Sequence, residues 1–287
     1  MTIKNSRSSA LFLRSGIVGA PRRSLHKSAL GLSVTAAILV GTALVPAAAS
    51  AQVYDITAEK GGTLILTTPA PTANFTEISN GLLNLQPGIN SSPLSVGLAM
   101  SDSLGVFSVS KLGFHTVMLT GTSNTYSGNT NFNAGLLIAG ATNTLSGNSR
   151  LGLGITGRMN LGGFSQVVKG ITGVNGGQIF NESSTAATLT VTGDNSPTYN
   201  GVITQNQGVI SIVKNGSGVQ GFNNAASTFS GGITLNKGTL RYGVVNSSGT
   251  GTLTVAQAGT TLRPLAAGTL LANALQLDAD VTFDSGT

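Results

Sequence analysis

Residues 124–137 read NTYSGNTNFNAGLL, and residues 227–240 read STFSGGITLNKGTL. The two stretches align without a gap at an offset of 103, and a more worn copy, TYNGVITQNQGVI at 198–210, lies between them at an offset of 73 from the first. Six columns survive in all three. They are a threonine (Thr125, Thr198, Thr228), an aromatic (Tyr126, Tyr199, Phe229), a glycine (Gly128, Gly201, Gly231), an asparagine (Asn133, Asn206, Asn236), a second glycine (Gly135, Gly208, Gly238) and an aliphatic residue (Leu137, Ile210, Leu240). Asparagine followed two places later by glycine suits a tight turn, because both tolerate positive φ at little cost. The aromatic and the aliphatic flank that turn and point inward, where a stack of equivalent coils buries each against its counterparts above and below.

Outward from these blocks the pattern is short runs of Val, Ile, Leu and Thr bounded by Gly, Asn and Ser, which reads as many short strands. Such runs lie at 187–191, 209–213, 252–255, 275–277 and 281–283. Helical periodicity is absent beyond residue 51. Strand, turn, strand without helices or long alternating hairpins predicts an all-β solenoid rather than a sandwich. With coils of roughly 20–25 residues, the chain after Ala51 holds on the order of ten. The spacing of 30 between the last two blocks exceeds one coil.

Composition agrees with this reading. Forty glycines, 8% charged and 5% aromatic residues depart from an ordinary globular mixture, while 40% hydrophobic residues argue against disorder. Cysteine is absent, so neither disulfides nor thiolate metal sites contribute.

The net charge of +6 invites a nucleic-acid partner, but its location removes that expectation. Lys4, Arg7, Arg14, Arg22, Arg23 and Lys27 all precede the first acid, Asp55, and the rest of the chain is formally neutral. After those six charges come an apolar run from Ala29 to Val45 and a small-residue tail, Pro46 to Ala51. This is the layout of a secretory signal, with the A-x-A pattern of Ala49 and Ala51 placing cleavage after Ala51. Arg22 and Arg23 loosely match a twin-arginine export motif, although His26 stands where a hydrophobic residue is usual. Three segments follow: a signal peptide with a helical apolar core (1–51), an irregular capping β section with four prolines (52–110) and a repeat region (111–287).

The block running from Lys214, Gly216 and Gly218 through Thr228, Phe229, Ser230 and Gly231 to Lys237, Gly238 and Leu240 resembles the autotransporter-associated β-strand repeat. The earlier copy, with Lys111 and Gly113, then Asn124 to Thr130, then Ala134, Gly135 and Leu136, is similar to it too. His115 replaces a glycine of that pattern, and the middle copy lacks the leading lysine. The resemblance implies a right-handed parallel β-helix, the passenger of a type V secretion system, exported with the help of an outer-membrane β-barrel translocator.

Residue groups with catalytic potential have plain alternatives. His115 is the sole histidine beyond the signal, and it sits in a repeat glycine column. Gly152, Gly154 and Gly157 match G-x-G-x-x-G, yet no helix pattern follows and the next acid, Glu182, lies beyond the place such a motif needs one, so glycine richness explains the match. Asp278 and Asp280, two apart on an expected strand with Asp284 beyond, form the closest carboxylate group; a solvated outer face accounts for them. The sequence therefore gives no catalytic, cofactor or metal set.

The leading expectation is a structural or adhesive surface module that binds host or self glycans or proteins over a distributed face. The alternatives are a β-helical polysaccharide-acting enzyme, which needs clustered acids and a base on adjacent coils, and a stalk presenting an effector elsewhere. No barrel-like run of amphipathic strands follows, so a longer gene product is expected. A downstream reading frame encoding a barrel would support that expectation, and a stop codon directly after Thr287 in an intact locus would sink it.

Overall fold

In the computed structural model the residues described are 106–114 and 116–285, the short pieces 94–97 and 100–102, and, by backbone alone, the strands Gln52–Tyr54, Thr63–Leu66, Ala73–Phe75, Ile78–Ser79 and Gly81–Leu85. The signal-peptide reading, with Ala49 and Ala51, falls outside them. Among the described residues there is no helix, and every strand pairing is parallel. The chain winds as a parallel β-solenoid of about 9 turns.

Each coil visits three faces in a fixed order. The first face stacks Phe107–Lys111, the opening part of Thr130–Ala139, the opening part of Arg150–Asn160, Gly170–Gly173, Thr198–Tyr199, Val219–Phe222, Thr239–Tyr242 and Thr260–Pro264. The second stacks Thr116–Leu119, the closing parts of the same two long strands, Gln178–Asn181 and Val202–Gln205. The third is a sheet of Gln166–Val168, Ala187–Val191, Ile210–Lys214, Ile233–Leu235, Leu253–Val255 and Leu275–Leu277. Coil length varies along the rod: Thr63 pairs with Leu82, whereas Gly173 reaches as far along the chain as Tyr199.

The core follows from alternation. Successive strand residues point to opposite faces, so Ala187, Leu189 and Val191 turn inward while Thr188 and Thr190 turn out. Parallel register then stacks like upon like. Leu189 lies on Ile212, Ile212 on Ile233 and Ile233 on Leu253, all at most 1% exposed. On the first face Gly173 pairs with Tyr199, Tyr199 with Phe222 and Phe222 with Tyr242. Gly173 is required there, since a Cβ on it would lie 2.7 Å from the Tyr199 ring.

One break in this ladder is repaired from two coils away. Pro197 brings no N–H to the first face. The buried Gln220 carboxamide, two coils from Ile171, partners the residue opposite the proline: its Nε2 donates to the Ile171 carbonyl and its Oε1 accepts from Ile171 N–H, each at 2.9 Å. The last described coil has no described coil upon it, and there Leu275, Leu277 and Phe283 are 38%, 52% and 59% exposed.

Gly201 and Gly259 separate two costs of substitution. A Cβ at Gly201 would sit 2.3 Å from the Gly177 carbonyl oxygen, whereas Gly259, at φ 77°, has nothing within 4 Å of its Cβ position. Gly201→Ala is expected to lower unfolding free energy by about 3 kcal/mol through backbone displacement, and Gly259→Ala by about 1 kcal/mol from positive φ alone. Urea-unfolding midpoints check this; equal losses would refute close coil contact as the reason for glycine at 201.

Candidate functional site

The three repeat blocks do not stack on one another. Tyr126 and Gly128 lie at the corner between the third and first faces, Thr130–Phe132 runs along the first face, and Asn133–Gly135 forms the corner to the second, with a register shift between Phe132 and Ala134. Tyr199 and Gly201 instead turn the chain from first to second face, Val202–Gln205 follows, and Asn206–Gly208 leads to the third. Phe229 and Gly231 turn from second to third, Ile233–Leu235 follows, and Asn236–Gly238 returns the chain to the first. One block is therefore one side of the triangular coil, corner to corner, and the three copies occupy three different sides. The stack of mutual counterparts expected from the alignment is replaced by three separate stacks.

Local geometry is nevertheless shared. The aromatics Tyr126, Tyr199 and Phe229 are at most 1% exposed, and the aliphatics Leu137, Ile210 and Leu240 are fully buried. A Cβ on Gly128, Gly201 or Gly231 would press a backbone carbonyl of the adjacent coil at 2.2, 2.3 and 2.5 Å. Close seating lets Gly128 N–H donate to the Phe107 carbonyl and Gly231 N–H to that of Ile210. Gly135 and Gly238 adopt φ of 73° and 75°; Gly208 does not, and is glycine because a Cβ would lie 2.2 Å from the Ser183 carbonyl. The Tyr126 hydroxyl hydrogen-bonds Thr130 Oγ1 at 2.6 Å, and the Tyr199 hydroxyl donates to the Gly177 carbonyl at 3.0 Å.

The motif lysines are buried. Lys214 stands in an aliphatic column between Val191 and Leu235. Its stem packs inward while Nζ donates to the carbonyls of Gly216 and, at 3.2 Å, Lys237 of the next coil. Lys111 repeats the arrangement at the corner from first to second face, with Nζ 2.7 Å from the carbonyls of both Gly113 and Ala134. Each ammonium thus clips an Asn-x-Gly corner to the coil beneath it. In the block without lysine the same place is held by buried Asn181, which fixes its own turn and the coil beneath instead: its Nδ2 donates to the Thr185 carbonyl and its Oδ1 accepts from Ser183 and Gly163. Desolvation lowers both lysines to about 8.

Other sequence candidates are dispersed. His115 lies outside the described residues. Gly152, Gly154 and Gly157 fall within the single strand Arg150–Asn160, where a Cβ on Gly154 or Gly157 would strike the Asn133 or Phe132 carbonyl at 2.5 or 2.0 Å. Asp278 and Asp280 are exposed in the turn between Leu275–Leu277 and Val281–Phe283 rather than on a strand, so alternation does not align them. Asp278 accepts from Gln276 Nε2, and Asp284 pairs with Arg263 at 3.3 Å. Among the described residues no group of three His, Cys, Asp or Glu could hold a metal ion.

The surface feature that sequence reading missed is a shallow concavity of about 660 Å³ where the first face turns into the second. It arises from unequal corners. Only Asn200 and Gly201 separate the strands of one coil, whereas Val174–Gly177 separate those of the coil below and residues 223–232 follow Phe222 in the coil above before its next strand. The short corner is the floor and its neighbours are the walls. Asn223 Nδ2 donates to Asn200 Oδ1 at 3.0 Å, and Asn224 Nδ2 reaches the Asn200 carbonyl at 3.0 Å and Asn175 Oδ1 at 3.4 Å. The available clue was unequal coil length, the path from Gly173 to Tyr199 being longer than that from Tyr199 to Phe222.

The lysines dictate a pH dependence. The unfolded side chain keeps its proton to about pH 10.4, while the folded one releases it near 8. Between those values unfolding takes up protons, so stability rises with pH. The burial penalty is full below pH 8 and gone above about 10.5. Burial also raises Tyr126 to about 12 and raises Tyr199, which opposes this trend above pH 10, so the clean window is pH 7 to 9.5. Unfolding free energy is expected to gain about 1–2 kcal/mol per lysine across that window, and a Lys111→Met/Lys214→Met double variant is expected to lose that gain. Parallel slopes in the two proteins would overturn this account.

No family model and no solved structure matches the chain. It is similar to the adhesin BmaC autotransporter of Brucella suis biovar 1 (strain 1330), 34% identical over 141 residues. The match covers 48% of this chain and 4% of that protein's length. This similarity and the parallel β-solenoid together fit an autotransporter passenger domain.

Proposed function

We propose that the chain acts as a structural and adhesive module at the bacterial surface. The observation that carries the proposal is the joint occurrence of a parallel solenoid with the similarity to an autotransporter adhesin. In this reading residues 1–51 form a cleaved leader, 52–110 cap the rod, and 111–287 are the repeat region. An outer-membrane β-barrel translocator is the partner that delivers it. The winding is right-handed, as parallel crossovers almost always are.

The surface chemistry suits contact rather than catalysis. Outward columns such as Val167, Thr190, Val213, Thr234 and Thr254 run along the third face without a charge. Acids and bases that face each other, as Lys169 and Asp194 at 3.8 Å, do so as exposed pairs. Chemistry on a polysaccharide would call for an acid and a base converging on one groove; the concavity that is present is lined by amides and aliphatics.

The test is display. The full chain is fused ahead of an outer-membrane barrel in a Gram-negative host, and surface exposure is scored by protease shaving of intact cells. Adherence to cultured epithelial cells is then compared with that of the barrel alone. Shaving-sensitive display with severalfold greater adherence is expected. Display without added adherence would sink the adhesive reading, and failure to reach the surface would sink the passenger reading.

A further inference from the structure

We infer that the concavity between the first and second faces is a binding subsite for a neutral glycan chain. The inference rests on the adhesive reading for its biological setting, but its chemistry stands on the site itself. Asn175, Asn200, Asn223 and Asn224 bring four carboxamides together with Val174 and Val244, and among the described residues no charged side chain lines the space. A carboxamide places a donor beside an acceptor, the complement of two adjacent sugar hydroxyls. Val174 and Val244, 50% and 38% exposed, offer apolar contact for the C–H faces of a pyranose ring.

The amides are held in position before any ligand arrives. Asn224 Oδ1 accepts from Ala226 N–H at 3.0 Å, which turns its Nδ2 toward the concavity, where it donates to the Asn200 carbonyl. Asn200 Nδ2 in turn donates to the Gly173 carbonyl at 3.3 Å, leaving its Oδ1 to accept from Asn223. The wall bearing Asn175 is fixed by Gly176, at φ 105°, whose Cβ position is 2.5 Å from the Ile155 carbonyl. Two groups on opposite walls have no partner among the described residues: Asn175 Nδ2, a donor, and Asn223 Oδ1, an acceptor. Their polarity is opposite, so a ligand bridging them must offer both an acceptor and a donor, as a sugar does.

Two other ligand classes fit less well. A peptide adding as a strand needs free backbone groups. Here those groups are spent between coils: Asn200 N–H donates to Gly173, Asn223 N–H to Tyr199, and Gly243 N–H to Phe222, at 2.8 to 3.1 Å. An anionic chain needs cations, and the lining supplies none among the described residues. The open shape suits one or two residues of a chain lying across the corner rather than an enclosed monosaccharide.

The purified full chain is titrated by calorimetry and saturation-transfer NMR with four neutral hexasaccharides, of glucose in α and in β linkage, of mannose and of N-acetylglucosamine, and with a heparin-derived hexasaccharide. Saturable binding of at least one neutral chain is expected. Asn175→Ala and Asn223→Ala, both at exposed positions and checked for unchanged unfolding midpoints, should each weaken it tenfold or more. Thr234→Ala on the third face should leave it unchanged. The inference is overturned if no neutral chain binds, if binding survives both asparagine variants, or if the heparin fragment alone binds. Adherence of displaying cells that persists in the asparagine variants overturns this subsite while the adhesive reading stands. Sugar binding by the purified chain without cell adherence does the reverse.

Discussion

The constraint on which the structure depends is that every corner must seat its backbone directly on the corner of the adjacent coil. Parallel strands lie about 4.8 Å apart, and strands alone satisfy that spacing along the faces. At a corner the chain changes direction, its carbonyls leave the ladder, and any side chain pointing along the stack collides with the coil beneath. The protein meets the steric half of the problem with glycine, as at Gly128, Gly201 and Gly231, where a Cβ would lie 2.2 to 2.5 Å from a carbonyl oxygen. It meets the polar half with inward side chains that collect the released carbonyls: Lys111, Lys214 and Asn181. A buried lysine is a costly way to satisfy two carbonyls, yet its long stem can cross the coil interior and still pack as a hydrophobe.

That constraint also explains what the sequence disclosed. Short β runs at 187–191, 275–277 and 281–283 coincide with observed strands because alternation and bounding turn residues are local signals. The solenoid followed from repetition without helices, and its parallel winding from the family resemblance. The inward orientation of Tyr126, Tyr199 and Phe229 was readable from type and position relative to glycine. Which side of the coil each block occupies was not, because corner, strand and corner obey the same rules on all three sides. The spacing between the last two blocks carried the information, being one coil plus one side, but unequal coil lengths, as between the Thr63–Leu82 and Gly173–Tyr199 pairings, blur that arithmetic. Lysine burial was equally hidden, since nothing in a single lysine distinguishes a solvated head from one aimed at carbonyls a coil away.

The concavity shows where the architecture permits variation. Strand lengths and inward columns are tied to neighbours on both sides, so a change in one coil propagates. Corners bear only on adjacent corners, and a residue gained or lost there alters the outer surface while the core column above Leu189 continues undisturbed. The concavity accordingly lies at a corner of unequal length, where asparagine serves both as a turn residue and as an outward amide.

Coil-by-coil pairing also bears on how such a rod can form. Each strand's partner lies one coil away in sequence, so each coil can dock on its predecessor, and stability accumulates as a sum of neighbouring interfaces. Leu275, Leu277 and Phe283 on the last described coil continue the inward columns of Leu253, Val255 and Leu262. The inward columns hold few charges among the described residues, and a lysine keeps its hydration until the following coil covers it and the next corner supplies carbonyls in place of water. Lys111 and Lys214 thus carry a desolvation penalty on burial that the carbonyls of the succeeding Asn-x-Gly corner offset in part, which ties the burial of those side chains to the correct register of the coil that follows.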